Sequence, residues 1–138
     1  MGYEEIDHTA DYALRVWGKD LRELLENAGR GVIALLTGGE TAPVAEWVEY
    51  GVEATEAAGL LLRAVREILY QTEAGRPPVA FEVVDAAEEP PRARCRVGLA
   101  AEEASEGLVR RAIKAVTYHD LTIRREGEEL VVTLTLDA

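Results

Sequence analysis

The sequence has 138 residues, 26 acidic and 15 basic side chains and a net charge of −11, with 48% of its residues hydrophobic and 30% charged. That length fits one domain with a core of its own, expected to span residues 1–138. The charge speaks against tight, direct binding of nucleic acid, whose phosphates are met by Lys and Arg, and favours a basic protein or a metal cation as partner.

No apolar run approaches the roughly 20 residues that a membrane span needs. The opening residues MGYEEID are acidic and lack the apolar core of a secretory signal. The only cysteine is Cys95, so no internal disulfide forms. A cytoplasmic protein is expected. The sole candidates for a basic patch are Arg92, Arg94 and Arg96 on one segment, and Arg110, Arg111 and Lys114 on another.

From Tyr12 to Trp17 the pattern alternates, with Tyr12, Leu14 and Val16 on one side and Arg15 on the other, which predicts a strand. Asp20 followed by Glu23 predicts a helix N-cap with a capping-box partner. Leu21, Leu24, Leu25, Ala28, Val32, Leu35 and Leu36 then recur at helical spacing until Gly38-Gly39. Val44 to Glu53 is rich in strand formers. Thr55 is expected to cap a second helix with the stripe Leu60, Leu61, Ala64, Val65, Ile68 and Leu69, ended by Gly75-Arg76-Pro77-Pro78.

Val79, Phe81 and Val83 alternate as a strand, Glu88-Glu89-Pro90-Pro91 reads as a turn, and Ala93, Cys95, Val97 and Leu99 form the next strand. Residues 101–107 look like a solvated connection. Ile113 to Ile123 is β-branched enough for a strand bent near His119-Asp120. Glu126-Gly127 turns into a last strand in which Leu130, Val132, Leu134 and Leu136 alternate with Val131, Thr133 and Thr135. Strand, helix, strand, helix and then several strands on short turns predict an α+β fold with antiparallel pairing. Spacing alone does not show whether the two strand-helix-strand stretches are related modules.

Several chemistries lack their residues. There is no glycine-rich dinucleotide fingerprint, and Gly18-Lys19 is followed by Asp20 where a Walker A loop needs Ser or Thr. One Cys and two His offer no zinc spacing. The only serine, Ser105, lies in an acidic stretch without a nucleophile elbow. Cys95 alternates with apolar neighbours and reads as a small buried hydrophobe.

Two acidic positions remain. Asp11 closes His8-Thr9-Ala10-Asp11 just before the first clear strand and reads either as a turn residue or as a ligand. Asp137 follows an apolar strand that, docked in a sheet, would hold it in place along with the terminal carboxylate of Ala138. Two carboxylates about 4 Å apart repel by roughly 4 kcal/mol at an effective dielectric near 20. Protonating one of them or binding a hard cation relieves this. Calcium takes such oxygen ligands flexibly, and magnesium or manganese takes fewer. His119 beside Asp120 reads as a proton-transfer pair or as a surface histidine with a turn-capping Asp. A metal-dependent enzyme using Asp11, Asp137 and His119 on a small substrate is one reading of these groups.

His8-Thr9-Ala10-Asp11, Lys114-Ala115-Val116-Thr117-Tyr118-His119-Asp120-Leu121 and the late Asp137 together resemble the archease family, in order and over essentially the whole chain. Leu69-Tyr70-Gln71-Thr72-Glu73 is similar to the end of that family's second helix. The resemblance implies a strand-helix-strand-strand module carrying an inserted related module, with two helices packed on antiparallel sheets. It also implies a cytoplasmic accessory protein of tRNA splicing and RNA processing. Such a protein promotes guanylylation and multiple turnover of an RtcB-type RNA-splicing ligase and does no catalysis itself. A chaperone-like or specificity role toward a tRNA methyltransferase is the alternative that the resemblance carries. The implied metal ligands are Asp11, Asp137 and Ala138, with calcium as the usual ion. His8, Lys114 and His119 are then expected beside the ligands or at the partner contact. The chain departs from the family pattern at Gln71, where Asp is usual, after Gly98, where an acidic residue is often found, and at Ala138, where a larger aliphatic is common.

Overall fold

The structure is a computed structural model and describes residues 2–6, 11–117 and 121–138. Helix α1 spans Leu21–Thr37 and begins as the sequence predicts: Asp20 has extended backbone, and its carboxylate accepts from the Glu23 N–H at 2.9 Å. Such a cap is worth about 1 kcal/mol. The return bond reaches one residue further upstream than in a standard capping box, because the Glu23 carboxylate accepts from the Lys19 N–H at 3.2 Å. At the other end Gly38 takes a left-handed φ of 66° and donates to the Ala34 carbonyl, a conformation that a side chain would strain.

Helix α2 spans Ala57–Glu73. Thr55 does not cap it. The extended residue at its start is Glu56, whose side chain makes no capping bond. The stripe from Leu60 to Leu69 is buried as its spacing predicts.

The strands form two antiparallel sheets. In the first, β1 (Tyr3–Ile6), β2 (Tyr12–Gly18), β8 (Glu129–Asp137) and β6 (Ala115–Thr117) lie in that order, and β7 (Arg124–Glu126) also pairs with β8. In the second, β5 (Pro91–Ala100) is central between β3 (Val44–Glu53) and β4 (Pro78–Glu88). In chain order, β3-α2-β4-β5 is inserted between α1 and the strands that complete the first sheet. This is the expected α+β fold of one strand-helix-strand-strand module inside another. One hydrophobic cluster joins them, with Leu14, Val16 and Leu134 from the first sheet, Phe81, Cys95 and Val97 from the second, and both helices between.

Three local expectations are corrected. Strand β1 was not expected, because its Tyr-Glu-Glu-Ile sequence leaves three of four residues exposed and so shows no alternation. Ile113–Ile123 is not one bent strand among the described residues: only Ala115–Thr117 pairs with β8, and residues 121–123 are irregular. Residues 102–105 of the expected loop form a short helix, α3 (Glu102–Ser105), where the Ser105 hydroxyl donates to the Ala101 carbonyl at 2.8 Å.

Glycine has a packing role inside α1. A Cβ on Gly29 would stand 2.1 Å from the ring of Phe81, a buried residue of β4. The bare backbone lets the helix approach that strand closely, offsetting the cost of a mid-helix glycine.

Candidate metal centre

Strand register carries the two acidic positions to one end of the first sheet. β2 and β8 pair antiparallel from Gly18↔Leu130 to Tyr12↔Leu136. Asp11 and Asp137 are the next residues beyond that last pair. On the other side of β8, Ala115 of β6 pairs with Asp137, and the Asp137 carbonyl accepts from the Lys114 N–H at 2.8 Å. Asp137 is therefore held on both flanks and is not a frayed tail.

Leu136 is fully buried in the core. Because side chains alternate across a strand, Asp137 lies on the face of the sheet away from the helices. Asp11 and Asp137 are both half-buried, and Ala138 is exposed.

The surroundings bring cations near. Arg111 donates to Glu5 of β1 at 2.9 Å, and its guanidinium lies 5.2 Å from the Tyr12 ring centroid. The Lys114 side chain is exposed, and its backbone is the part that touches Asp137. A cavity of about 330 Å³ opens beside Lys114, lined chiefly by aliphatic groups of Leu36, Leu69, Val109 and Ile113. His8 and His119 lie outside the described residues.

Among the described residues no three His, Cys, Asp or Glu side chains cluster as a metal site. Asp11 and Asp137 supply two carboxylates, and a third ligand would be an oxygen of Ala138. An all-oxygen set of this kind suits a hard cation such as calcium, not zinc or copper.

Four of the six residues in the two basic clusters are paired with carboxylates. Arg94 pairs with Glu49, Arg96 with Glu82, Arg110 with Glu40 and Arg111 with Glu5. Each exposed pair contributes little to stability, but each places a carboxylate where a phosphate would have to sit. The sequence reading missed this pairing. It follows from Arg96 lying between Glu49 and Glu82 in neighbouring strands, which only the register reveals. No described helix is long and apolar enough to cross a membrane.

Comparison with known proteins places this architecture. Residues 3–138 match the model of the Archease protein family (MTH1598/TM1083), and the chain belongs to that family. Protein archease of Methanopyrus kandleri is 31% identical, with 99% of each chain covered, and that of Sulfurisphaera tokodaii is 24% identical over 98% of this chain and 97% of its own. Among solved structures, the solution structure of Methanobacterium thermoautotrophicum protein 1598 superposes with a TM-score of 0.78 at 27% identity, covering 99% of both chains. The crystal structure of a Thermotoga maritima archease, described as a possible chaperone, has the same fold at a TM-score of 0.62 and 24% identity, covering 98% of this chain and 96% of that one.

Proposed function

We propose that this chain is an accessory protein of RNA processing, not a catalyst, and that it activates an RtcB-type RNA-splicing ligase by promoting its guanylylation and turnover. The observation that carries the reading is the β2–β8 register, which ends at Tyr12↔Leu136, next to Asp11 and Asp137, with the Lys114 N–H on the Asp137 carbonyl. Family membership supports the accessory role.

In this reading Asp11, Asp137 and an oxygen of Ala138 hold a calcium-type ion, with magnesium or manganese as substitutes. The ion supplies positive charge that links the two strand ends. The chain's own groups do the rest. The Lys114 N–H fixes the Asp137 backbone, and the acidic surface steers the protein toward a basic face of the ligase in the cytoplasm. His8, Lys114 and His119 would stand beside the ligands or at the partner contact.

The test is RNA ligation under single-turnover and multiple-turnover conditions with and without the protein. Wild type should convert one round of ligation into many. Asp11→Asn and Asp137→Asn should each remove most of that gain while the variants remain folded. Turnover unchanged by the wild-type protein would end the activator reading. In that case, co-purification with a tRNA methyltransferase tests the alternative role as its chaperone or specificity partner, in line with the description of the Thermotoga maritima relative as a possible chaperone.

A further inference from the structure

Among the described residues the second sheet has two outer strands, β3 and β4, and backbone parity shows which groups β3 presents. The Ala54 N–H donates to the Pro91 carbonyl at 3.1 Å, while Glu53 stands opposite Arg92 in the register. In an antiparallel ladder this makes Glu53↔Arg92 a non-hydrogen-bonded pair. Val48, Tyr50 and Val52 therefore spend their backbone groups on β5, and Trp47, Glu49 and Gly51 turn theirs outward. The Glu53 carbonyl agrees with this parity: it accepts from the Arg63 guanidinium at 3.0 Å, from outside the ladder.

The other edges are partly covered or short. On β4 the Val83 N–H is taken by the Glu26 carboxylate at 2.9 Å, and α1 packs along the strand. In the first sheet β1 has four residues, and β6 and β7 have three each. β3 has ten residues and no proline; its guards lie at its start, where a bulge falls between Val44 and Glu46 and Glu46 shares the parity of Val48, and the length from Trp47 to Val52 carries neither a bulge nor an inward charge.

Its inward side chains are also incompletely covered. Ala93, Cys95 and Val97 of β5 are buried, whereas their partners Val52, Tyr50 and Val48 are only half-buried. A strand laid beside β3 would finish that burial with apolar side chains. On the opposite face it would meet Glu49 and Glu53. Glu49 pairs with Arg94, and no ion pair involves the Glu53 carboxylate among the described residues.

We infer that β3 is a docking edge for an extended segment of another protein in which apolar residues alternate with Lys or Arg, added as a fourth strand. Main-chain bonds supply affinity in this mode and alternate side chains supply specificity. A second copy of this chain is disfavoured, since it brings its own charge of −11 and the same acidic strand. The inference does not rest on the metal centre.

The experiment uses the intact protein and two peptides of about eight residues, an ordinary strand length. One alternates Val and Lys, the other Val and Glu. With the Val/Lys peptide, amide exchange at Trp47, Glu49 and Gly51 should slow by about tenfold or more, while Val48, Tyr50 and Val52 stay unchanged. The Val/Glu peptide should leave all six unchanged, and salt at about 1 M should weaken the Val/Lys effect. Gly51→Pro should keep the fold, because that N–H is outside the ladder and the nearest atom to a Cβ there is the Ala93 carbonyl oxygen at 3.9 Å, and should abolish the protection. Glu53→Lys leaves the backbone untouched and should weaken the Val/Lys peptide about tenfold, a loss of 1.4 kcal/mol. Equal effects of the two peptides, or protection without the odd–even pattern, would overturn the inference. So would slowed exchange at the same three amides on raising protein concentration alone, which would assign the edge to a second copy.

Discussion

Cys95 faces Tyr50 on one neighbouring strand and Val83 on the other, and none of its surface is exposed. Burial pushes its thiol up to about 11 from an ordinary 9.0, against the opposing pull of a hydrogen bond with the Tyr50 hydroxyl. Burial also raises the Tyr50 hydroxyl, which donates to the Ala64 carbonyl at 2.5 Å. A raised folded pKa means that the unfolded chain loses its proton first as pH rises. The contribution to stability is therefore whole below pH 9.0 and is lost between there and about 11. Urea midpoints measured across that range should fall for the wild type and fall less steeply for Cys95→Ala. The same slope in both would show that the thiol does not carry the effect. The buried character of Cys95 was legible from its apolar alternation. Its tyrosine partner was not, because nothing in a single strand's sequence names the residue opposite.

Among the elements, β4 is guarded by a single side chain. The Glu26 carboxylate on α1 accepts from the Val83 N–H and lies 3.2 Å from Arg30 and 3.7 Å from Arg22. It closes a strand edge and ties a helix to a sheet at once. Glu26→Ala should cost about 1.5–3 kcal/mol, the range for a hydrogen bond to a charged group. Exchange of the Val83 amide should rise more than that of its neighbours. A loss below about 0.5 kcal/mol, typical of an ordinary surface change, would contradict this role. Periodicity found α1, α2, β2, β3 and β5 with nearly their true bounds, because their apolar residues keep to one face, and found the first half of β4, which runs on to Glu88. It failed for β1, which is mostly exposed, and for β6 and β7, which share one side of β8 as two short pieces. β-branched composition reports a tendency to extend, but it does not report where a pairing partner begins and ends.

For the whole molecule, the candidate centre joins residues from near opposite ends of the sequence through one register. An ion bound there stabilises only the folded chain. At about 100 times its Kd, calcium should add about 2.7 kcal/mol and raise Tm by several degrees. Asp137→Asn should lose most of that rise, and a chelator should return the wild type to its metal-free Tm. An equal rise in the variant would place the ion elsewhere. The acidic residues of this centre were visible in the sequence and their convergence was an expectation, but the pairing of β2 with β8 on which it depends was not legible there. The nesting of one module inside the other was likewise implied by resemblance and not by spacing, because hydrophobic periodicity is blind to chain order within a sheet.

That nesting also sets a schedule. Every strand of the second sheet lies between Val44 and Ala100, so its pairings are available early in synthesis. The first sheet must wait for β8, its central strand, which is made last of all the described elements. Until then β2 has only the short β1 beside it, and the faces of α1 and α2 that will meet β8 and β6 stay open. The inserted half is thus complete in sequence before the enclosing half can close.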